Sequence, residues 1–227
     1  MSGIPRIAKD VQGAQSDEMQ EMGIYYCPDD VNIRKGTALI IGPDDTPYEA
    51  CPLFFSVEFP PDYPFKSPTI LIITSDGQTR FHPNLYVTGK VCLSILGTYS
   101  GPSWSSIMNL KSVFMSILSL LTNNPITNEP AWEKYTLADK KAVDYVDWVQ
   151  YRLISKTISD LRDRGPLWDK FKEVLEDVWM PKYLPKILKI IDERAAVPER
   201  EYTNVPYQMH GTTQWANLKA AAAACRQ

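Results

Sequence analysis

The chain has 227 residues, 44% of them hydrophobic and 22% charged, enough to bury one well-packed domain with residues to spare. A formal net charge of −3 argues against a molecule built as a whole to bind nucleic acid, which normally carries a strong basic excess. The N-terminus, MSGIPRIAKD, lacks an apolar core of signal-peptide length, and the longest mostly apolar stretch, Ser112–Leu121, falls far short of a bilayer span, so neither export nor a membrane is expected.

Four cysteines, at positions 27, 51, 92 and 225, show no CxxC pairing and are accompanied by only two histidines, so a Cys/His zinc site is not expected. No N-x-S/T sequon is present, and Cys225 stands one residue short of prenylation spacing. The expected compartment is the reducing cytoplasm or nucleus, where a free thiol can act as a nucleophile. No motif for a nucleotide or metal cofactor is visible.

Ile4, Ile7, Ala8 and Val11 fall on one helical face, with Pro5 tolerated near the helix start. Four β-type runs follow, Ile24–Cys27, Thr37–Ile41, Leu53–Phe59 and Thr69–Thr74, separated by Pro/Asp/Gly breakers. Connections this short predict an antiparallel meander, because parallel strands need a crossover of a dozen or more residues. About thirty irregular residues come after Thr74, and loops of that length in a compact domain are usually functional. A helix is predicted from about Met108 to Leu121, with Leu110, Val113, Phe114, Ile117 and Leu120-Leu121 on one face, stopped at Asn124-Pro125. A long amphipathic helix capped by Thr136 is predicted through about Asp163, then helices over Leu167–Trp179 and Pro185–Ala196. The tail from Val197 is predicted to be mobile.

Within the irregular stretch stand Phe81-His82-Pro83-Asn84 and Gly89-Lys90-Val91-Cys92-Leu93-Ser94-Ile95-Leu96. A cysteine among apolar neighbours is more often a packed small hydrophobe than a nucleophile. Position in a loop favours the nucleophile for Cys92. The stretches Gly42-Pro43-Asp44-Asp45-Thr46-Pro47-Tyr48-Glu49 and Phe59-Pro60-Pro61-Asp62-Tyr63-Pro64-Phe65-Lys66-Ser67-Pro68 complete the pattern, with His82-Pro83-Asn84 ahead of Val91-Cys92-Leu93 and then Trp104. Together these resemble the signature of ubiquitin-conjugating enzymes over about residues 4–160.

The resemblance implies an α+β fold: an N-terminal helix, a four-stranded antiparallel meander, the active-site loop and flanking helices, here with extra C-terminal helices. It implies a catalytic core over residues 1–163 and a C-terminal helical extension and tail over 164–227. It also implies that Cys92 accepts ubiquitin or a ubiquitin-like modifier from an activating enzyme as a thioester, then passes it to a substrate lysine or a ligase. ATP is consumed by the activating enzyme, and no cofactor is implied for this chain. Asn84 is implied to steady the oxyanion or to hold the loop that does so; closing a turn after Pro83 is its plainer role. His82 and Pro83 are implied to be structural. Glu129, in Asn128-Glu129-Pro130, is the candidate carboxylate for keeping an incoming lysine neutral, or else a solvated glutamate; the match there needs a one-residue length adjustment. Arg6 and Lys9 match the docking place of the activating enzyme, or form an ordinary solvated helix face. Phe65 and Trp104 match the ligase-contact region.

Three departures stand out. The segment Gly97–Ser103 is longer than the common pattern and resembles a divergent branch of larger conjugating enzymes. Trp104-Ser105-Ser106-Ile107 lacks the usual Pro-Ala. Ala50-Cys51 replaces the usual Gly-Gly, and Cys51 reads as a packed strand-edge thiol. The alternatives are a non-catalytic ubiquitin-binding scaffold, against which Cys92 and Asn84 are retained, and a papain-like hydrolase, for which no suitable histidine is placed.

Overall fold

The computed structural model describes residues 3–225, which divide into two compact units whose segments interleave along the chain. The first unit holds residues through Ile41, Pro52–Thr74 and Asn84–Leu121; the second holds Gly42–Cys51, Ser75–Pro83 and residues from Thr122 on.

In the first unit, helices α1 (Ile4–Ala14) and α2 (Asp17–Glu21) precede strands β1 (Ile24–Pro28), β2 (Lys35–Ile41), β3 (Pro52–Glu58) and β4 (Thr69–Ile72). The strands pair in sequence order, all antiparallel, with Ile24 opposite Ile40, Leu39 opposite Phe54 and Val57 opposite Ile70. The expected meander is therefore observed, with ends shifted by a residue or two. Helix α3 (Leu110–Leu120) begins at Asn109, whose side chain accepts from Ser112 N at 3.0 Å. Its buried face, Leu110, Val113, Phe114 and Ile117, is the one its periodicity predicts. Phe114 lies 5.9 Å from the Tyr26 ring, and α1 packs on α3, so helix and sheet share one core.

The second unit is built on α4 (Lys140–Asp163). This helix starts four residues beyond the predicted Thr136 cap. The Thr136 N–H and hydroxyl both donate to Asp139 Oδ2, at 2.7 and 2.9 Å, closing a turn before the helix instead of capping it. The predicted single helix over Leu167–Trp179 is divided. A short α5 (Pro166–Lys170) gives way to a π-helical turn over Val174–Trp179, which runs on through Pro181 as α6 (Met180–Lys182). Helix α7 spans Leu184–Ala195.

The tail is not the mobile segment its composition suggests. Strands β5 (Arg200–Val205) and β6 (Met209–Thr213) form an antiparallel hairpin, and α8 (Trp215–Ala224) follows. Tyr202 lies 5.5 Å from Trp148 of α4, and Trp215 lies 5.1 Å from Tyr151. Gly211 holds φ at +142° against the Trp148 ring, where a Cβ would come within 2.7 Å of the indole, so only glycine fits.

Candidate active site

In the first unit, Gly89 N donates to Tyr86 O and Tyr86 N to Lys90 O, both at 2.9 Å, making a tight turn that needs Gly89 at φ +92°. This turn returns the chain to β4, where Ile72 N donates to Gly89 O at 2.8 Å and Leu71 bridges Lys90. Leu85 bridges Val91 in the same way, which brings Asn84 alongside Cys92. Cys92 N donates to Asn84 O at 2.8 Å, and Asn84 Nδ2 donates to Cys92 O at 2.8 Å. Cys92 is 4% exposed and Asn84 7% exposed, so these bonds form with little competition from water.

Beyond Cys92 the chain makes a short 3₁₀ turn, Ser94–Leu96, ended by Gly97 in the left-handed region at φ +69°. That reversal returns Thr98 to the cysteine. Its hydroxyl accepts from Leu93 N at 3.0 Å and donates to Val91 O at 2.6 Å, with Leu93 O at 3.1 Å.

The expected partner-binding residues also belong to this unit. Arg6 donates through Nε to Asp10 at 3.0 Å, through Nη1 to Ser106 O at 2.8 Å and through Nη2 to Met108 O. It therefore ties α1 to the segment before α3, while Lys9 is exposed. Asp10 is buried and also accepts the Tyr63 hydroxyl; burial, followed by that carboxylate, pushes the Tyr63 phenol well above its usual range. Trp104 Nε1 donates to Pro64 O at 2.7 Å, so the indole supports the Tyr63–Phe65 loop. Phe65 is 81% exposed and Ile107 85% exposed.

In the second unit His82 is fully buried, its ring 6.2 Å from Tyr48, whose hydroxyl donates to Phe81 O at 2.7 Å. The Pro83 carbonyl accepts from Arg80 Nε at 3.1 Å and from its Nη2. Glu129 accepts the Tyr207 hydroxyl at 2.5 Å and lies 3.9 Å from Arg80 Nη2. The Arg80 guanidinium stacks over the Tyr207 ring at 4.2 Å. Glu129 is thus held by the C-terminal hairpin, a tie that sequence alone gave no means to see. The structure brings Cys92 and Asn84 together in one unit, and places His82, Pro83 and Glu129 in the other.

Cys51, fully buried in the second unit, has its thiol pushed up to about 12 by desolvation, against the opposing pull of a Thr157 hydrogen bond. The thiolate is the reactive form, so native Cys51 is expected to resist alkylation by iodoacetamide at pH 8 and to react once denatured. The raised value also sets a pH dependence. The unfolded chain ionises near the ordinary 9 while the folded chain holds its proton to about 12, so this contribution to stability is complete below pH 9 and lost between 9 and 12. Among the described residues no cluster of three or more His, Cys, Asp or Glu side chains could hold a metal ion, and no helix is long and apolar enough to cross a membrane.

Residues 6–151 match the family model for ubiquitin-conjugating enzymes. The chain is 38% identical over 181 residues to ubiquitin-conjugating enzyme E2 Z of Homo sapiens, covering 78% of this chain and 50% of that protein. It is 35% identical over 168 residues to the probable ubiquitin-conjugating enzyme protein 17 of Caenorhabditis elegans, covering 70% of this chain and 23% of that one. Against the E2 Z proteins it spans about half their length. Among solved structures, the E2 domain of a Toxoplasma gondii ubiquitin conjugating enzyme superposes with a TM-score of 0.51 at 24% identity, over 66% of this chain and 94% of that one.

Proposed function

The chain belongs to the ubiquitin-conjugating enzyme family, and from that premise we propose that it carries ubiquitin, or a ubiquitin-like modifier, as a thioester on Cys92. The observation that carries this assignment is the reciprocal pair of hydrogen bonds between Asn84 and Cys92, which fixes this cysteine in a loop between two bridged segments. Burial holds the Cys51 thiol protonated, which argues against that cysteine as the acceptor.

In loading, the Cys92 thiolate attacks the carbonyl carbon of the modifier's thioester on the activating enzyme. A new C–S bond forms, the old one breaks, and the activating enzyme's sulfur leaves as thiolate, so charge is conserved. In transfer, the lone pair of a neutral lysine Nζ attacks the same carbon. The carbonyl oxygen becomes an oxyanion, the C–S bond breaks to return the Cys92 thiolate, and the amine proton passes to a base or to water. We assign Asn84 to the frame of the cysteine and to the oxyanion, and Glu129 to the lysine proton. His82 and Pro83 are assigned to motif structure.

Residues 1–163 form the proposed catalytic core, and 164–227 an extension that supports it. The proposed partners are an activating enzyme at Lys9 and the Arg6 end of α1, a ligase at Phe65 and Trp104, and protein substrates bearing lysines. Action in the cytoplasm or nucleus is proposed, where a reducing environment would keep such thiols free. ATP is spent by the activating enzyme.

The test is loading with a panel of activating enzymes, ATP and modifier, run without reductant beside Cys92→Ala. A one-modifier shift that reductant removes and the variant lacks is expected. Non-covalent ubiquitin binding with no shift for any enzyme in the panel would instead indicate a scaffold.

A further inference from the structure

Four backbone groups frame the Cys92 side chain: the carbonyl of Val91, the N–H and carbonyl of Cys92 itself, and the N–H of Leu93. Asn84 engages the two that belong to Cys92. The Thr98 hydroxyl engages the other two, donating to Val91 O at 2.6 Å and accepting from Leu93 N at 3.0 Å. One oxygen thus spans the cysteine, tying the residue before it to the residue after it. The Thr98 main chain adds a bond from its N–H to Leu93 O at 3.2 Å. Bonds of this length and polarity fix both flanking peptide planes, and with them the direction of the Cα–Cβ vector of Cys92.

We infer that Thr98 is a positioning residue for the proposed thioester chemistry, acting through the peptide frame of Cys92 and not through contact with the modifier or the lysine. The inference rests on the assignment of Cys92 as the acceptor. It gives a purpose to the segment Gly97–Ser103, which is longer than the common pattern. Gly97 in the left-handed region makes the reversal, and the reversal delivers the hydroxyl to the cysteine. When Asn84 turns its amide toward a developing oxyanion it gives up its bond to Cys92 O, and the Thr98 clamp keeps the sulfur and its acyl carbon in register during that exchange. A misplacement of about 1 Å at a reacting centre costs on the order of a hundredfold in rate. A partial loosening is therefore expected to cost about tenfold.

The experiment is single-turnover discharge of loaded enzyme onto free lysine, with the full chain as wild type, Thr98→Val and Thr98→Ser. Valine keeps the shape and removes the hydroxyl; serine keeps the hydroxyl. Because the rate is read only on molecules that have already loaded, partial unfolding lowers the amplitude and not the rate constant. Expected are a saturating rate about tenfold lower for Thr98→Val, an unchanged lysine concentration at half-saturation, and recovery to within about twofold of wild type in Thr98→Ser. A wild-type rate in Thr98→Val overturns the inference, as does equal slowing in both variants, which would mean that the hydroxyl is not what matters. Failure of the wild type to form any thioester removes the assignment of Cys92 beneath it, and that failure is visible at the loading step, before discharge is measured.

Discussion

Replacing Asn84 by alanine is expected to leave thioester loading measurable while slowing transfer to lysine by about 100-fold or more, the order lost when a single hydrogen-bond donor to an oxyanion is removed. The two half-reactions differ in what they need. A thiolate exchanges with a thioester readily, whereas an amine must lose a proton and builds a full negative charge on the carbonyl oxygen. The same substitution strips the Cys92 carbonyl of the Asn84 Nδ2 bond, and a buried carbonyl left unpaired costs about 1–3 kcal/mol of stability. Asn84→Asp keeps the size of the side chain while removing the same donor, so it controls for the lost volume. If the amide donor matters to transfer, both variants discharge slowly whatever their melting temperatures, the aspartate variant at least as slowly as alanine because its carboxylate repels a developing oxyanion. Discharge at the wild-type rate by the loaded fraction of either variant would show that the Asn84 side chain contributes only to folding.

Trp179→Ala is expected to produce the largest loss of stability in the second unit, about 3–5 kcal/mol from the deleted volume alone. Trp179 is fully buried, meets Trp168 edge to face at 6.1 Å, and donates through Nε1 to Ala50 O at 2.7 Å. That bond explains how the chain tolerates Ala50-Cys51 where the family pattern has Gly-Gly. Ala50 sits at φ +61°, a left-handed conformation that suits glycine and costs an L-residue about 1–2 kcal/mol. The indole fixes the strained residue's carbonyl, so a helix in the C-terminal extension offsets a departure some 130 residues earlier in the chain, between Ala50 and Trp179. A denaturant titration should show the effect. Trp179→Phe, which keeps a six-membered ring and loses the pyrrole ring with its donor, should fall between wild type and Trp179→Ala. A loss below about 1 kcal/mol for the alanine variant would mean that the site collapses around the missing ring.

The meander was legible because each strand is a run of β-branched and aromatic residues between Pro, Gly and Asp breakers, and such runs depend on near neighbours alone. The face of α3 was legible for the same reason: a 3.6-residue period needs only local spacing. The tail was not. Tyr202 and Val205 of β5 supply too few apolar positions to signal a strand, and Tyr202 packs against Trp148, about fifty residues earlier in the chain. The start of α4 was misplaced because Thr136 and Asp139 are both good cap residues, and only geometry shows the threonine bonding to the aspartate.

At the site, Cys92 and Asn84 were legible through motif spacing, and the bonds between them are local consequences of the Leu85–Val91 bridge. Thr98 was overlooked because a threonine in a Gly/Ser-rich stretch carries no periodic signal; its role depends on the left-handed turn at Gly97. The tie between Glu129 and Tyr207 likewise joins residues 78 apart and leaves no trace in composition.

The most direct measurement of the central claim is loading of Cys92→Ser, followed by mapping of the adduct. An acceptor at position 92 predicts a one-modifier adduct that now resists thiol reductant and yields to alkali, as an ester does, with the modifier's C-terminus mapped to position 92. A reductant-sensitive adduct persisting in Cys92→Ser, mapped to Cys27, Cys51 or Cys225, would contradict the account.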